Sequence, residues 1–183
     1  MFRKSCPKFI IISGSGKRVG KTHMATALIR AFSVKFPLLA LKVSPHVHDS
    51  LGNTRLTATS EGIRIFQDLG PHHKNSGQFL EAGASQSFFM ETDDEHLPKA
   101  FDIFMKECNP GNYPVICESG ALGNLISPGI LIFISDSTEM LRADKLKTIE
   151  LADMVLPARS FDPQIILRQI TCADGKWGFT LPT

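Results

Sequence analysis

The strongest constraint on this chain is the run Phe9 to Ala27, FIIISGSGKRVGKTHMATA. Four apolar residues, Phe9 to Ile12, suit a short buried parallel strand, and they end abruptly in Ser13-Gly14-Ser15-Gly16. Beyond that turn, Gly20-Lys21-Thr22 opens a segment that sets Met24, Ala25, Leu28, Ile29 and Phe32 on one helical face. The spacing predicts strand, glycine-rich loop and helix in immediate succession.

That order is the build of a P-loop. Glycines let the backbone turn tightly so that successive N–H groups point inward at phosphate oxygens, and the helix N-terminus adds its positive dipole end. Lys21 would reach the terminal phosphates and the Thr22 hydroxyl would ligate Mg²⁺. The usual spacing has a small residue five positions before Gly20, and here it is Ser15. The nucleotide-contacting set is accordingly Gly14, Ser15, Gly16, Lys17, Arg18, Val19, Gly20, Lys21, Thr22 and His23.

Charge distribution agrees with an anionic ligand. Residues 1 to 48 hold nine Lys or Arg and no acid, whereas the remainder holds eleven basic against eighteen acidic residues. The basic end coincides with the loop, where a positive field concentrates an anion. A nucleic-acid surface ranks lower because the basic residues are not interleaved with aromatics.

At 183 residues, with 43% hydrophobic and 21% charged content, the chain fits one globular domain. No apolar run reaches the length of a membrane span, and the segment after the charged start is too short for a signal peptide, so a cytoplasmic protein is expected. Cys6, Cys108, Cys117 and Cys172 lie far apart, which argues for reduced thiols over a zinc site.

Pro37 to Val43 reads as a second strand that delivers Lys42, Ser44, His46, His48 and Asp49 to the ligand side of a parallel sheet. His46-Val-His-Asp49 has metal-ligating residue types, but a polar loop that touches Mg²⁺, substrate or the last phosphate fits better than a transition-metal site. Ser50 to Gly77 is broken by glycines and reads as an irregular, insertion-like segment, with β character at Thr54 to Gln67. His72, His73 and Lys74 within it have either a phosphate contact or simple solvation open to them.

A short helix over Ser76 to Ala84 and a strand over Ser85 to Met90 follow. Thr92 with Glu95 has capping-box spacing ahead of an amphipathic helix to about Cys108. Tyr113 to Glu118 is an apolar strand ending in an acid, the element a nucleotide site needs beside its phosphate-loop strand, since the carboxylate can hold Mg²⁺. Ile130 to Ser135 is a further strand, Arg142 to Leu151 a helix with Leu146 and Ile149 inward, and Met154 to Leu156 a strand. A last helix starts at Pro163 and carries Ile165, Ile166 and Ile170, ahead of a tail containing Trp177. Alternating strands and helices predict an α/β fold of three layers, a mainly parallel sheet flanked by helices.

With both stretches in view, the chain resembles the P-loop NTPase group that contains dethiobiotin synthetase and the molybdopterin-guanine dinucleotide biosynthesis adapter, MobB. The likeness lies in Ser13 to Thr22, in Lys42 and Glu118, in His46 and His48, and in Lys74-Asn-Ser76 followed by Ala82-Gly-Ala84. It spans residues 8 to 157 loosely. Asn75 stands where the adapters usually have Asp, and Lys17 is one position away from the signature lysine of the related partitioning ATPases. No Asn-Lys-x-Asp follows Leu156, so ATP and GTP both stay open.

The resemblance implies an Mg²⁺-dependent nucleoside triphosphate-binding adapter. In it Lys21 neutralises charge in phosphoryl transfer, Thr22, Asp49 and Glu118 serve the metal, and Asp49 or a neighbouring histidine orients the attacking group. An alternative is a dethiobiotin-synthetase-like enzyme that activates a small carboxylate, with Lys42 on the substrate. A third is a binding or scaffold module without turnover. The group also implies a homodimer and a partner enzyme or small-molecule substrate.

Overall fold

The apolar run that opens the chain becomes a strand covered on both faces. In β1 (Lys4–Gly14), Phe9 and Ile11 face one side of the sheet and Ile10 and Ile12 the other, none more than 2% exposed. Burial of both faces is what a parallel strand with helices above and below requires. The computed structural model describes residues 3–46, 52–70, 76–111, 113–136 and 141–180.

The chain continues through α1 (Lys21–Ser33), β2 (Leu39–Ser44), β3 (Thr54–Ser60), β4 (Ile63–Asp68), α2 (Gly77–Glu81) and β5 (Gln86–Thr92). Next come α3 (Leu97–Ile103), a π-helical turn (Phe104–Cys108), β6 (Val115–Glu118), α4 (Leu122–Leu125) and β7 (Ile126–Ser135). Then α5 (Ala143–Leu151), β8 (Met154–Pro157), α6 (Pro163–Leu167), β9 (Ile170–Ala173) and β10 (Lys176–Phe179) follow. The main sheet has eight strands in the order β3-β4-β5-β2-β6-β1-β7-β8. From β5 to β8 every pairing is parallel, and β3 and β4 add an antiparallel edge.

Two cores sandwich the sheet. On one face Met24, Leu28, Ile29 and Phe32 of α1 pack with Phe79, Ile166 and Trp177 over Ile10, Ile12 and Ile132. On the other, Leu97, Phe101 and Phe104 pack with Leu122 over Phe9, Ile11, Leu41 and Phe88. The protein is thus α/β with a mostly parallel sheet between helical layers. No helix among the described residues is long and apolar enough to cross a membrane.

The β character expected at Thr54 to Gln67 is present as a hairpin, β3–β4, turning on Glu61-Gly62 with Gly62 at φ 68. Several other local expectations are revised. Thr92 ends β5 instead of capping a helix, and the Asp93 carboxylate accepts from the His96 N–H at 2.9 Å. The Asp93 carboxylate closes that turn, and the Thr92 hydroxyl bonds the neighbouring Asp93 carbonyl at 3.3 Å. In α5, Leu146 is 51% exposed while Lys145 and Thr148 face inward. This helix docks by polar contacts: Lys145 Nζ reaches Gly120 O at 2.7 Å and the Thr148 hydroxyl reaches Asn124 Oδ1 at 3.1 Å. In α6, Ile165 is exposed, and Ile170 belongs to β9. The Trp177 tail is the β9–β10 hairpin, closed by Asp174-Gly175 with both residues at positive φ (51 and 72), a twist that suits antiparallel strands. Trp177 is 4% exposed and meets Phe32 edge-on, ring centroids 5.0 Å apart.

Candidate functional site

The connection after β1 runs over one face of the sheet through α1, and the one after β6 over the other through α4. Chains that part in opposite directions leave a crevice at the carboxyl ends of the strands between them, where ligands bind in open parallel sheets. Gly14 and Glu118 end those two strands.

The Gly14–Gly20 loop is pinned at several points. A Cβ on Gly14 would lie 2.8 Å from Ile134 O and 2.8 Å from Val19 Cγ2, so the backbone passes where no side chain fits. Ser15 donates its N–H to Ile134 O at 3.0 Å, and its hydroxyl accepts the Asp136 N–H at 3.0 Å, tying the loop to the end of β7. Val19 is 2% exposed and anchors the loop in the α1-side core. Arg18 (φ 60) and Gly20 (φ 110) take left-handed backbone, and Gly20 lies under the Phe161 ring. Lys17, Arg18 and His23 are exposed, the last against Phe161 with ring centroids 6.1 Å apart.

Helix α1 begins at Lys21 with no side-chain cap and no acid in its first turn. Its leading amides carry the positive end of the helix dipole. The Lys21 ammonium folds back over the loop and donates to Gly16 O. Thr22 donates its hydroxyl to Glu118 Oε2 at 2.7 Å, and Lys42 Nζ lies 3.3 Å from Oε1 and 3.4 Å from Oε2. Glu118 is 7% exposed. Register explains the meeting: Lys42 on β2 and Ile12 on β1 are both Cα partners of Glu118, and Thr22 stands in the first turn of α1.

The structure therefore brings together Thr22, Lys42 and Glu118, with the Lys21 ammonium on Gly16 O of the adjoining loop. A hydroxyl and a carboxylate 2.7 Å apart are groups that could contribute to an Mg²⁺ site, since this ion takes one or two carboxylates and completes its shell from phosphate and water. Among the described residues no cluster of three or more His, Cys, Asp or Glu is placed to hold a metal ion by itself. His46 is exposed at the end of β2, its N–H bonded to Ser44 Oγ at 3.2 Å. His48, Asp49, His72, His73, Lys74 and Asn75 lie outside the described residues.

Other groups around the crevice were not legible as site residues. Ser119 donates its N–H to Ile12 O at 3.0 Å and its hydroxyl accepts the Leu122 N–H at 3.0 Å, holding the turn after Glu118. Lys145 is buried against Gly120 O and pairs with Asp144 at 3.2 Å. Burial pushes the Asp144 carboxyl up, but the Lys145 hydrogen bond and the charges of Lys145 and Arg142 outweigh it and leave it lowered. Beyond Ser119 a cavity of about 570 Å³ opens, lined by Val43, His46, Asp93, Arg142 and Lys145 among others. An inward Lys at i with Thr at i+3 was the available signal for α5, but the apolar Leu146 and Ile149 mask it. No family model, no curated protein and no solved structure matches the chain.

Proposed function

We propose that the protein binds a nucleoside triphosphate with Mg²⁺ at the loop between β1 and α1, as a P-loop protein does. The observation that carries this reading is the Thr22 hydroxyl on the buried Glu118 carboxylate beside a glycine-pinned loop that holds the Lys21 ammonium on Gly16 O and leads into an uncapped helix. Backbone amides and the Lys21 ammonium supply positive charge for phosphate oxygens. Thr22 and Glu118 would hold the metal, which would supply countercharge for the terminal phosphoryl group. The Lys21 ammonium donates to Gly16 O, so ligand entry would exchange a bond to a neutral carbonyl for an ion pair with phosphate. By its resemblance the protein would serve as a nucleotide-binding adapter in molybdopterin-guanine dinucleotide biosynthesis.

A second reading, an ATP-dependent enzyme for a small substrate, is favoured by the 570 Å³ cavity beside the Glu118–Gly120 segment. Calorimetric titration of ATP and of GTP, with and without Mg²⁺, tests the common core of both readings. Tight binding that needs Mg²⁺ and is lost in Lys21→Ala is the expected result. Equal weak binding in every condition overturns it. ADP release that appears only with a particular small acid selects the enzyme over the adapter.

A further inference from the structure

The Glu118 carboxylate is already engaged on both oxygens: Oε2 takes the Thr22 hydroxyl at 2.7 Å, and the Lys42 ammonium lies 3.3 and 3.4 Å from Oε1 and Oε2. The Lys42 and Glu118 side chains are only 19% and 9% exposed, so water screens this pair weakly. Their Cα atoms are register partners on adjacent strands, and both side chains rise from the face of the sheet that carries α1. Two strands away on the same face, Glu91 is paired with Arg64, so that carboxylate is committed to another cation.

A magnesium ion sits about 2.1 Å from a carboxylate oxygen. At either Glu118 oxygen it would stand close to the Lys42 ammonium, and two cations at such range in a poorly screened site repel strongly. The ammonium needs another anion before it can withdraw, and a terminal phosphate at the neighbouring loop is such an anion. Resting on the nucleotide reading above, we propose that Lys42 gates Glu118. In the free protein it keeps the carboxylate neutralised and closed to divalent metal, and it releases the carboxylate only when a polyphosphate draws it away. Lys42 is thus a positioning residue that couples metal binding to nucleotide binding, and by linkage each raises the affinity for the other by the same factor.

Electron paramagnetic resonance of Mn²⁺, used in place of Mg²⁺ and without nucleotide, tests the gate directly. Lys42→Met is expected to raise the affinity of the free protein for Mn²⁺ by about tenfold or more, within the usual range of coupling between sites. Lys42→Arg, which keeps the charge, is expected to leave it at the wild-type level, and Lys42→Met combined with Glu118→Gln to abolish the gain. If Lys42→Met does not fold by circular dichroism, Lys42→Gln carries the test. A folded neutral variant that binds Mn²⁺ no better than wild type overturns the gate. Nucleotide titration of the wild type separates the two ideas: Lys21-dependent binding without the Mn²⁺ effect leaves the nucleotide reading standing and removes only the gate, whereas absent nucleotide binding removes the reading itself.

Discussion

Gly14→Ala is a one-carbon change whose cost can be worked from the loop geometry. The new Cβ would stand 2.8 Å from the backbone oxygen of Ile134 and 2.8 Å from Val19 Cγ2, closer than real Cβ contacts come. Neither neighbour can retreat freely: Ile134 O accepts the Ser15 N–H at 3.0 Å, and Val19 is 2% exposed in a packed core. Overpacking of this kind costs about 1–3 kcal/mol, and a clash with backbone belongs near the middle of that range or above it. For a domain of this size about 2 kcal/mol lowers the melting temperature by about 4–8 °C. Gly178→Ala is the matched control, because a Cβ there meets nothing within 4 Å and strand glycines gain little from lacking one. Thermal melts of both variants, followed by circular dichroism in one buffer, give the answer. The reasoning is refuted if Gly14→Ala melts with the wild type, or if the two alanine variants lose the same amount. On the proposed nucleotide reading, affinity should fall with Gly14→Ala alone, since relief of the clash displaces the Ser15 anchor.

Three further outcomes are expected. Glu118→Gln strips the Lys42 ammonium of its countercharge and should cost about 2–3 kcal/mol in urea unfolding, less than a fully buried pair because Lys42 keeps some water; an unchanged midpoint would contradict the pairing. Burial pushes the Cys117 thiol well above its usual range, helped by the Glu118 charge, and holds Cys108 at about 11. Both therefore stay protonated when folded, and stability should be complete below about pH 8.5, where unfolded thiols begin to ionise, and decline as pH rises beyond it. A disulfide-exchange reagent should accordingly modify Cys117 only as the protein unfolds; fast labelling at pH 7 would count against it. The His96 N–H holds the Asp93 carboxyl below its usual range, so its ionic contribution is present above about pH 3.9 and fades as pH falls through the depressed value. The stability gap between wild type and Asp93→Asn should close in acid, and a gap that widens there would refute the assignment.

Where a residue's role depends on its neighbours in the chain, it was legible without coordinates. The run FIIISGSGKRVGKT predicts a buried strand, a tight turn and a helix with Met24, Leu28 and Phe32 inward, and those elements form. The acid at the end of the apolar stretch before Ser119 was also readable, because strand ends leave their last polar residue at the crevice. Less legible were features whose cause lies far away in sequence. Hydrophobic periodicity put Leu146 inside α5, yet Lys145 takes that face because Gly120 O, 25 residues earlier, offers it a partner. The β9–β10 hairpin was missed although Asp174-Gly175 is a strong turn signal, since Ile170 fits a helical pattern equally well in isolation.

Local order along this protein, strand into glycine loop into helix, follows from short-range sterics and apolar spacing, and the amino-acid sequence determines it unaided. The placing of β6 between β1 and β2 does not follow from any local pattern. Tertiary pairing alone decides it, and that pairing sets Glu118 within 2.7 Å of a hydroxyl 96 positions away and within 3.4 Å of the Lys42 ammonium. Such meetings depend on which strands share hydrogen bonds, a choice made by the summed burial of both sheet faces and recorded in no single stretch of the chain.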